Sequence, residues 1–198
     1  MTQGLLILLL LAVPSDWWEE GGERVWTEDG RLHVKADAPG RNMATVWFRQ
    51  PHASDFEFEA TAQVVSSSKD VNNINLFFSY AGPDGRGLED TRAQRKSAEY
   101  GLYHKLPGYI VTFVNEAGQA RLRLRRNPGF QLLAEARTYH CRAGVPYRLR
   151  LVKRGGEIRF SVDGEERLRA VDPRPLGGGH LALRTFSTHL WWKDIRIK

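Results

Sequence analysis

The chain is poor in cysteine, in long apolar runs and in helical periodicity, and each shortage closes a class of explanation. A single cysteine, Cys141, among 198 residues rules out an intrachain disulfide framework and any zinc site built on several thiolates. Cys141 reads as a small residue at a strand end; a nucleophilic role would need an activating base beside it. The apolar run Leu5 to Val13 is nine residues long. That is too short to cross a bilayer and the right length for the core of a signal peptide. Val13 and Ser15 are small enough for the positions before a cleavage point at Asp16. No Lys or Arg precedes the run, so a buried first strand is the rival reading. The expectation is a leader over 1–15, removed on export, and a secreted or periplasmic protein with no stable membrane association afterwards. A lone cysteine fits an exported protein that manages without disulfides. Repeats, low-complexity tracts and linkers are also missing, which leaves one domain over 16–198.

Charge is the next bound. Twenty-nine Lys and Arg against 23 Asp and Glu give +6, a balance that favours nucleic acid, anionic lipid or acidic polysaccharide as partner. The excess comes from arginines spread through strands, not from a basic tail, and no nucleic-acid module signature is present. No nucleic-acid partner is expected.

What the sequence has in quantity is alternation. The segments 31–37, 44–50, 56–65, 74–80, 108–114, 120–126, 147–154, 157–170, 180–186 and 191–198 all carry a period of two, the mark of half-buried strands. Asp29-Gly30 and Asp163-Gly164 are hairpin signals, because both residues accept the positive φ of a type I′ turn. Phe56, Phe58, Ala60, Ala62 and Val64 form an apolar face opposite Glu57, Glu59, Thr61 and Gln63. Leu122 and Leu124 oppose Arg121, Arg123 and Arg125; Tyr147, Leu149 and Leu151 oppose Arg148 and Arg150. Ile74, Leu76, Phe78 and Tyr80 oppose Asn75, Phe77 and Ser79. One core face and one polar face per strand is what an antiparallel two-sheet sandwich requires. The 18-residue connection 81–98 is longer than ordinary loops in compact domains, which marks it for function. It leads into "EYGLYH", Glu99 to His104.

These residues also carry a resemblance. "DWWEEGGERVWTEDGRLHV" is similar to the opening strands of the concanavalin A-like lectin/glucanase superfamily. "EYGLYH", "RRNPGFQLLAE", "PYRLRLVKRGGEIRFSVDG" and "LGGGHLALRTF…WWKDIRI" resemble, in order and spacing, the YesU-like family of small bacterial jelly rolls. The resemblance covers 16–198. It implies an all-β, antiparallel two-sheet jelly-roll sandwich with one concave face on which superfamily members hold sugars, and it implies no particular activity. Tyr100, Tyr103 and His104 fall on the family's Tyr-rich strand, and Arg125, Arg126, Gly129 and Phe130 on its arginine-to-Gly-Phe segment. Where members carry an Asn and a second His, this chain has Pro107 and Ile110, which argues against a two-histidine mechanism.

Three chemistries follow as expectations. On a strand, Glu99 and Tyr103 share one face and Tyr100 and His104 the other; a turn at 105–108 would let His104 reach around. The catalytic candidates are His104, Tyr103 and Glu99. Arg123 and Arg125, projecting into a groove, would bind carboxylate or sulfate groups in fork geometry, with Asn75 assisting and Tyr100 and Trp192 as sugar contacts. A polysaccharide lyase needs such a cation beside the uronate carboxylate, a Tyr or His base and an acid for the leaving oxygen. Asp55, Glu57 and Glu59 on one strand face raise glucanase-type hydrolysis, which needs two carboxyls about 5–5.5 Å apart, though the order differs from the superfamily's Glu-x-Asp-x-Glu. Asp84, Glu89 and Asp90 offer oxygen ligands for a structural calcium, at a spacing that matches no EF-hand. No other cofactor is expected. The ligand is expected to be a plant or algal polysaccharide or oligosaccharide, met by an enzyme or by a non-catalytic lectin-like module.

Overall fold

The computed structural model describes residues 14–68, 71–116 and 118–198; the expected leader lies outside them through residue 13. In chain order the strands are β1 (Trp17–Gly21), β2 (Arg24–Glu28), β3 (Arg31–Ala36), β4 (Met43–Phe48), β5 (Phe56–Ser67), β6 (Ile74–Tyr80) and β7 (Gly108–Glu116). There follow β8 (Gln119–Asn127), β9 (Gln131–Ala136), β10 (Pro146–Arg154), β11 (Glu157–Val162), β12 (Glu165–Val171), β13 (His180–Phe186) and β14 (Thr188–Ile197). They form two seven-stranded antiparallel sheets: sheet A in the order β1-β4-β13-β6-β7-β8-β9, and sheet B in the order β12-β11-β10-β5-β14-β3-β2. The expected jelly-roll sandwich is the observed fold. Among the described residues no helix is long and apolar enough to cross a membrane.

Alternation builds the core. The inward faces of β5, β8 and β10 are the predicted ones, and all of their apolar members lie in the inter-sheet cluster. Burying each Phe or Leu there contributes about 1.5–3 kcal/mol. Both Asp-Gly hairpins turn as predicted, with positive φ at Asp29 (49°), Gly30 (69°), Asp163 (54°) and Gly164 (87°).

Strands β1, β2 and β9 lie outside the ten segments with clear alternation, β1 and β2 within the stretch that resembles the superfamily's opening strands; all three are sheet edges, where a single partner suffices. Three expectations are corrected. Tyr80 leaves the inner face of β6, because Ser79 takes a left-handed φ of 54° where the β6–β13 register shifts, and the resulting bulge reverses the parity. Trp192 is 1% exposed inside the inter-sheet core, so it offers no sugar platform; its neighbour Trp191 takes the outer face, under the Arg31 guanidinium at 4.8 Å. Finally, "EYGLYH" is not a strand. It forms a single helical turn, α1 (Tyr100–Tyr103), within the excursion 81–107 between β6 and β7.

That excursion is not a free loop. It folds back over the outer face of sheet A through two 3₁₀ turns, Pro83–Gly85 and Arg92–Arg95, and α1. Leu88, Tyr103 and Leu106 meet Trp18, Trp47, Phe77, Tyr80, Ile110 and Ala182 in a second apolar cluster. Gly108 closes the excursion against the Tyr80 ring; a Cβ there would lie 2.4 Å from it, nearer than side-chain carbons approach one another.

Candidate functional site

The excursion divides the outer face of sheet A in two. Beneath it lies a buried polar knot. Glu20, 2% exposed, accepts from Arg95 Nε at 3.0 Å and Nη2 at 2.8 Å. Its Oε2 also accepts from Tyr103 Oη at 2.7 Å and Trp47 Nε1 at 3.0 Å. Arg95 donates further to the carbonyls of Leu88 and Thr91. Every arm of this carboxylate–guanidinium pair is used, as a buried ion pair requires.

The uncovered half is a cleft of about 440 Å³, floored by Asn73, Asn75, Thr112, Arg123 and Arg125 and walled by Tyr100, Phe130 and Arg184. The helical turn explains the wall. Positions i, i+3 and i+4 share one helix face, so Tyr100, Tyr103 and His104, which a strand would divide, all pack toward the sheet. Tyr100 meets Phe130 edge-on at 5.5 Å and His104 at 4.5 Å. His104 stacks on Phe130 at 3.8 Å. The "NPGF" turn aims Phe130: Asn127 Oδ1 accepts from the Phe130 N–H at 3.1 Å, and Asn127 Nδ2 donates to Tyr80 Oη at 2.8 Å. Phe130 sits at φ 55°, a left-handed conformation that is costly for an aromatic residue and is held by its surroundings.

Two guanidiniums complete the wall. Arg184 Cζ lies 4.6 Å from the Tyr100 ring centre, and Arg125 Cζ 4.3 Å from that of Phe130. Arg184 is 2% exposed; its Nη2 donates to the Ala98 carbonyl at 3.0 Å, and its Nε has no hydrogen-bond partner among the described residues. Burial lowers its pKa, and the groups that act on it are tyrosines, not carboxylates. Burial likewise lowers that of Arg125. Their neighbour Arg123 is different: its Nε donates to Glu135 at 2.7 Å. Asn75 Oδ1 and Thr112 Oγ1, both buried in the floor, also lack partners among the described residues.

The predicted site residues therefore part company. Asn75, Tyr100, Arg123 and Arg125 meet at the cleft. Tyr103 does not: its side chain is fully buried and its hydroxyl is spent on Glu20. Burial first, and the Glu20 charge second, push its pKa far above the ordinary tyrosine value. A phenol so placed is a structural donor, and its expected catalytic role is corrected on that ground. His104 stands behind the Tyr100–Phe130 wall with Nε2 buried and unpartnered. Burial, then the charges of Arg184 and Arg125, bring its pKa down to about 4. Glu99 is exposed and lines a neighbouring depression with Arg41 and Lys96.

The remaining candidates lie elsewhere. Glu57 and Glu59 face outward from sheet B, where Arg150 Nε stands 2.8 and 3.6 Å from them; that pairing holds Glu57 below the usual carboxylate range. In the excursion Glu89 is held by Arg49 and Arg92, and Asp84 lies 3.7 Å from Arg86. Among the described residues no group of three His, Cys, Asp or Glu is arranged to hold a metal ion.

Arg184, Phe130's wall position and the Glu20–Arg95 knot are what sequence reasoning missed. One signal was available for Arg184: on β13 it alternates with Ala182, away from Leu181 and Leu183, as an arginine in an otherwise apolar strand.

Comparison with known proteins gives the following. The family model described as Domain of unknown function (DUF6250) matches residues 40–195. The curated relative "Uncharacterized protein YesU" of Bacillus subtilis (strain 168) is 26% identical over 168 residues, 80% of this chain and 74% of its own length. A crystal structure of a protein with a galectin-like fold from Bacillus subtilis superposes with a TM-score of 0.80 at 22% identity, covering 92% of this chain and 88% of that one. The carbohydrate binding module CBM66 from Bacillus subtilis superposes with a TM-score of 0.66 at 13% identity, over 92% and 95%. The resemblance to a YesU-like jelly roll is thereby borne out.

Proposed function

The chain belongs to the DUF6250 family, and from that premise we propose that it binds carbohydrate in the cleft on the outer face of sheet A. The observation that carries this reading is the make-up of the cleft: two aromatic rings, Tyr100 and Phe130, wall a floor of amide and hydroxyl groups at Asn73, Asn75 and Thr112. The ring faces are already used, Phe130's by His104 and Arg125 and Tyr100's by Arg184, so the rings give a sugar apolar edges to lie against, while the amide and hydroxyl groups of the floor fix its hydroxyls. A fold neighbour, CBM66, is by its name a carbohydrate binding module, which supports the same reading. The non-catalytic form of the proposal is preferred. Elimination needs a base open to the substrate, whereas His104 Nε2 is buried behind the wall and Tyr103 is committed to Glu20. Hydrolysis needs paired carboxyls, and Glu57 and Glu59 face the other side of the sandwich beside Arg150.

The test is retardation of the protein in gels cast with a panel of neutral and acidic polysaccharides, with Tyr100→Ala and Phe130→Ala beside the parent chain. Each variant should lose at least tenfold in affinity, in line with about 1.5 kcal/mol for one aromatic contact. Trp191→Ala, on the far sheet, should bind as the parent does. Retardation that survives both cleft variants would remove the cleft from the proposal. New reducing ends, or absorbance from an unsaturated uronate, would replace the binding module with an enzyme.

A further inference from the structure

Resting on that reading, we infer that the cleft selects a carboxylated saccharide, a uronate unit, whose carboxylate is gripped by Arg184 and Arg125. The argument begins with the cost of Arg184. A guanidinium keeps its proton in a protein, and an arginine is almost never fully buried unless it is paired. Arg184 is 2% exposed, and among the described residues no carboxylate acts on it; it keeps one carbonyl, that of Ala98, and the ring of Tyr100. Removing a charge from water without a counter-charge is strongly unfavourable, so the protein holds this group at a cost that internal contacts do not return.

The manner in which both arginines are held is the second part. Each has its Cζ over an aromatic ring, Arg184 at 4.6 Å from the centre of Tyr100 and Arg125 at 4.3 Å from that of Phe130, and those rings meet edge to face at 5.5 Å. Stacking uses the face of a guanidinium and leaves its in-plane N–H edge for an acceptor. Arg184 Nε, buried and unpartnered, is such an edge. Both arginines line the same cleft, over two rings that touch each other. A planar carboxylate meets N–H edges in fork geometry.

The floor fits the rest of the sugar. Among the described residues Asn75 Oδ1 is a buried acceptor without a donor and Thr112 Oγ1 a buried hydroxyl without a partner; a pyranose ring brings hydroxyls that can serve both. The acids near the cleft are already paired: Glu116, which lines it, is held by Arg121 and lies 3.7 Å from Arg123, and Glu135 serves Arg123 at 2.7 Å and acts on Arg125 only from beyond ion-pair distance among the described residues. By contrast Arg150, on the outer face of sheet B, is paired with Glu57 and Glu59 and has no such vacancy of charge.

The experiment is isothermal titration of the full chain with oligomers of galacturonate, mannuronate and guluronate and with glucuronate-bearing xylo-oligosaccharides. Each is run beside its carboxyl-reduced counterpart and beside sulfated neutral galactan oligomers. The expected result is binding of at least one uronate that falls about thirtyfold or more on carboxyl reduction, the range for a charge-assisted hydrogen-bonded contact. Arg184→Met should bring the same loss for the uronate and remove most of the difference between it and its carboxyl-reduced form. Arg125→Gln, at a half-buried position, repeats the test should Arg184→Met fail to fold. Equal affinity for a uronate and its reduced form, lost in Tyr100→Ala, overturns the carboxylate assignment and keeps the saccharide reading. Preference for the sulfated oligomers overturns the carboxylate assignment in the same way. No binding to any member overturns both.

Discussion

Two arginines are buried on the same face of sheet A, and they are treated in opposite ways. Arg95, 3% exposed, is met by the Glu20 carboxylate, by the Thr91 hydroxyl and by two carbonyls. Arg184, 2% exposed, is met by one carbonyl and by aromatic faces. The first is carried by the 81–107 excursion and turned in toward Glu20 of the sheet, and the second stands at the edge of what the excursion leaves uncovered. A buried charge that is fully answered belongs to the architecture; one that is answered only in part is available to something outside. The comparison therefore separates the half of the face that holds the protein together from the half that meets a ligand. The arginines, tyrosines and larger rings that both halves share would not reveal this; the difference lies in Glu20, which only the covered half has beside its buried arginine.

The sharpest way to break the comparison is to remove the answer to Arg95. Glu20→Ala strands a buried guanidinium and deprives Tyr103 and Trp47 of their acceptor. Loss of one partner of a buried pair costs about 3–5 kcal/mol, so urea unfolding should show a drop of that order, with the excursion becoming sensitive to limited proteolysis. A loss under about 1 kcal/mol would mean that the knot is not what seats the excursion.

The second prediction reverses the sign. Arg184→Met replaces an incompletely paired charge by an apolar chain of similar length, so stability should stay within about 1 kcal/mol of the parent or rise. The same variant should lose acidic-saccharide binding. If Arg184→Met destabilised the fold as much as Glu20→Ala, the two arginines would be equivalent and the division of the face would collapse.

How far this division was legible from the sequence depends on which force sets each feature. Strand alternation is a local signal, and the inner faces of β5, β8 and β10 follow it residue by residue. The Asp-Gly turns are local too. The role of "EYGLYH" is not. Its Tyr, Leu and Tyr suit a strand, but no strand pairs with it; the segment takes a helical turn because Leu102 N–H and Leu106 N–H bond back to the carbonyls of Glu99 and Tyr103 at 3.1 and 3.2 Å. That turn gathers Tyr100, Tyr103 and His104 on one side, yet spends Tyr103 on a carboxylate 83 positions away in the chain. Asn75, Arg123 and Arg125 follow from their types and their strand faces, and Tyr100 from the family's Tyr-rich segment, not from the strand that it does not form. Arg184 was missed because its meaning lies in what is not beside it, and an unanswered charge shows only when the whole neighbourhood is in place. Trp192 and Trp191 illustrate the remaining limit: adjacent residues must part to opposite faces, but alternation alone does not say which goes where.

The smallest expected effect lies on the line between the two halves, at His104. Its ring is stacked on Phe130 at 3.8 Å, its Nε2 is buried without a partner, and its folded pKa is about 4 against about 6.5 when unfolded. The unfolded chain therefore binds more protons between these values, and stability must fall as pH falls through that window. The contribution is fully present above pH 6.5 and lost toward pH 4. His52, also brought down to about 4 by burial, and His33 and His189, lowered by burial too, act in the same direction, so the parent's acid limb reports all of them. Subtracting the unfolding curve of His104→Phe isolates His104. Because the residue is only half-buried, solvent screening limits the difference to roughly 1 kcal/mol or less, with Phe the more stable at pH 5 and the gap closing by pH 7. Phe also keeps the stack on Phe130 and removes the orphaned nitrogen, so the cleft should still bind at neutral pH. Binding abolished in His104→Phe, with the fold intact, would move His104 from the wall to the ligand and reopen the case for a base in the cleft.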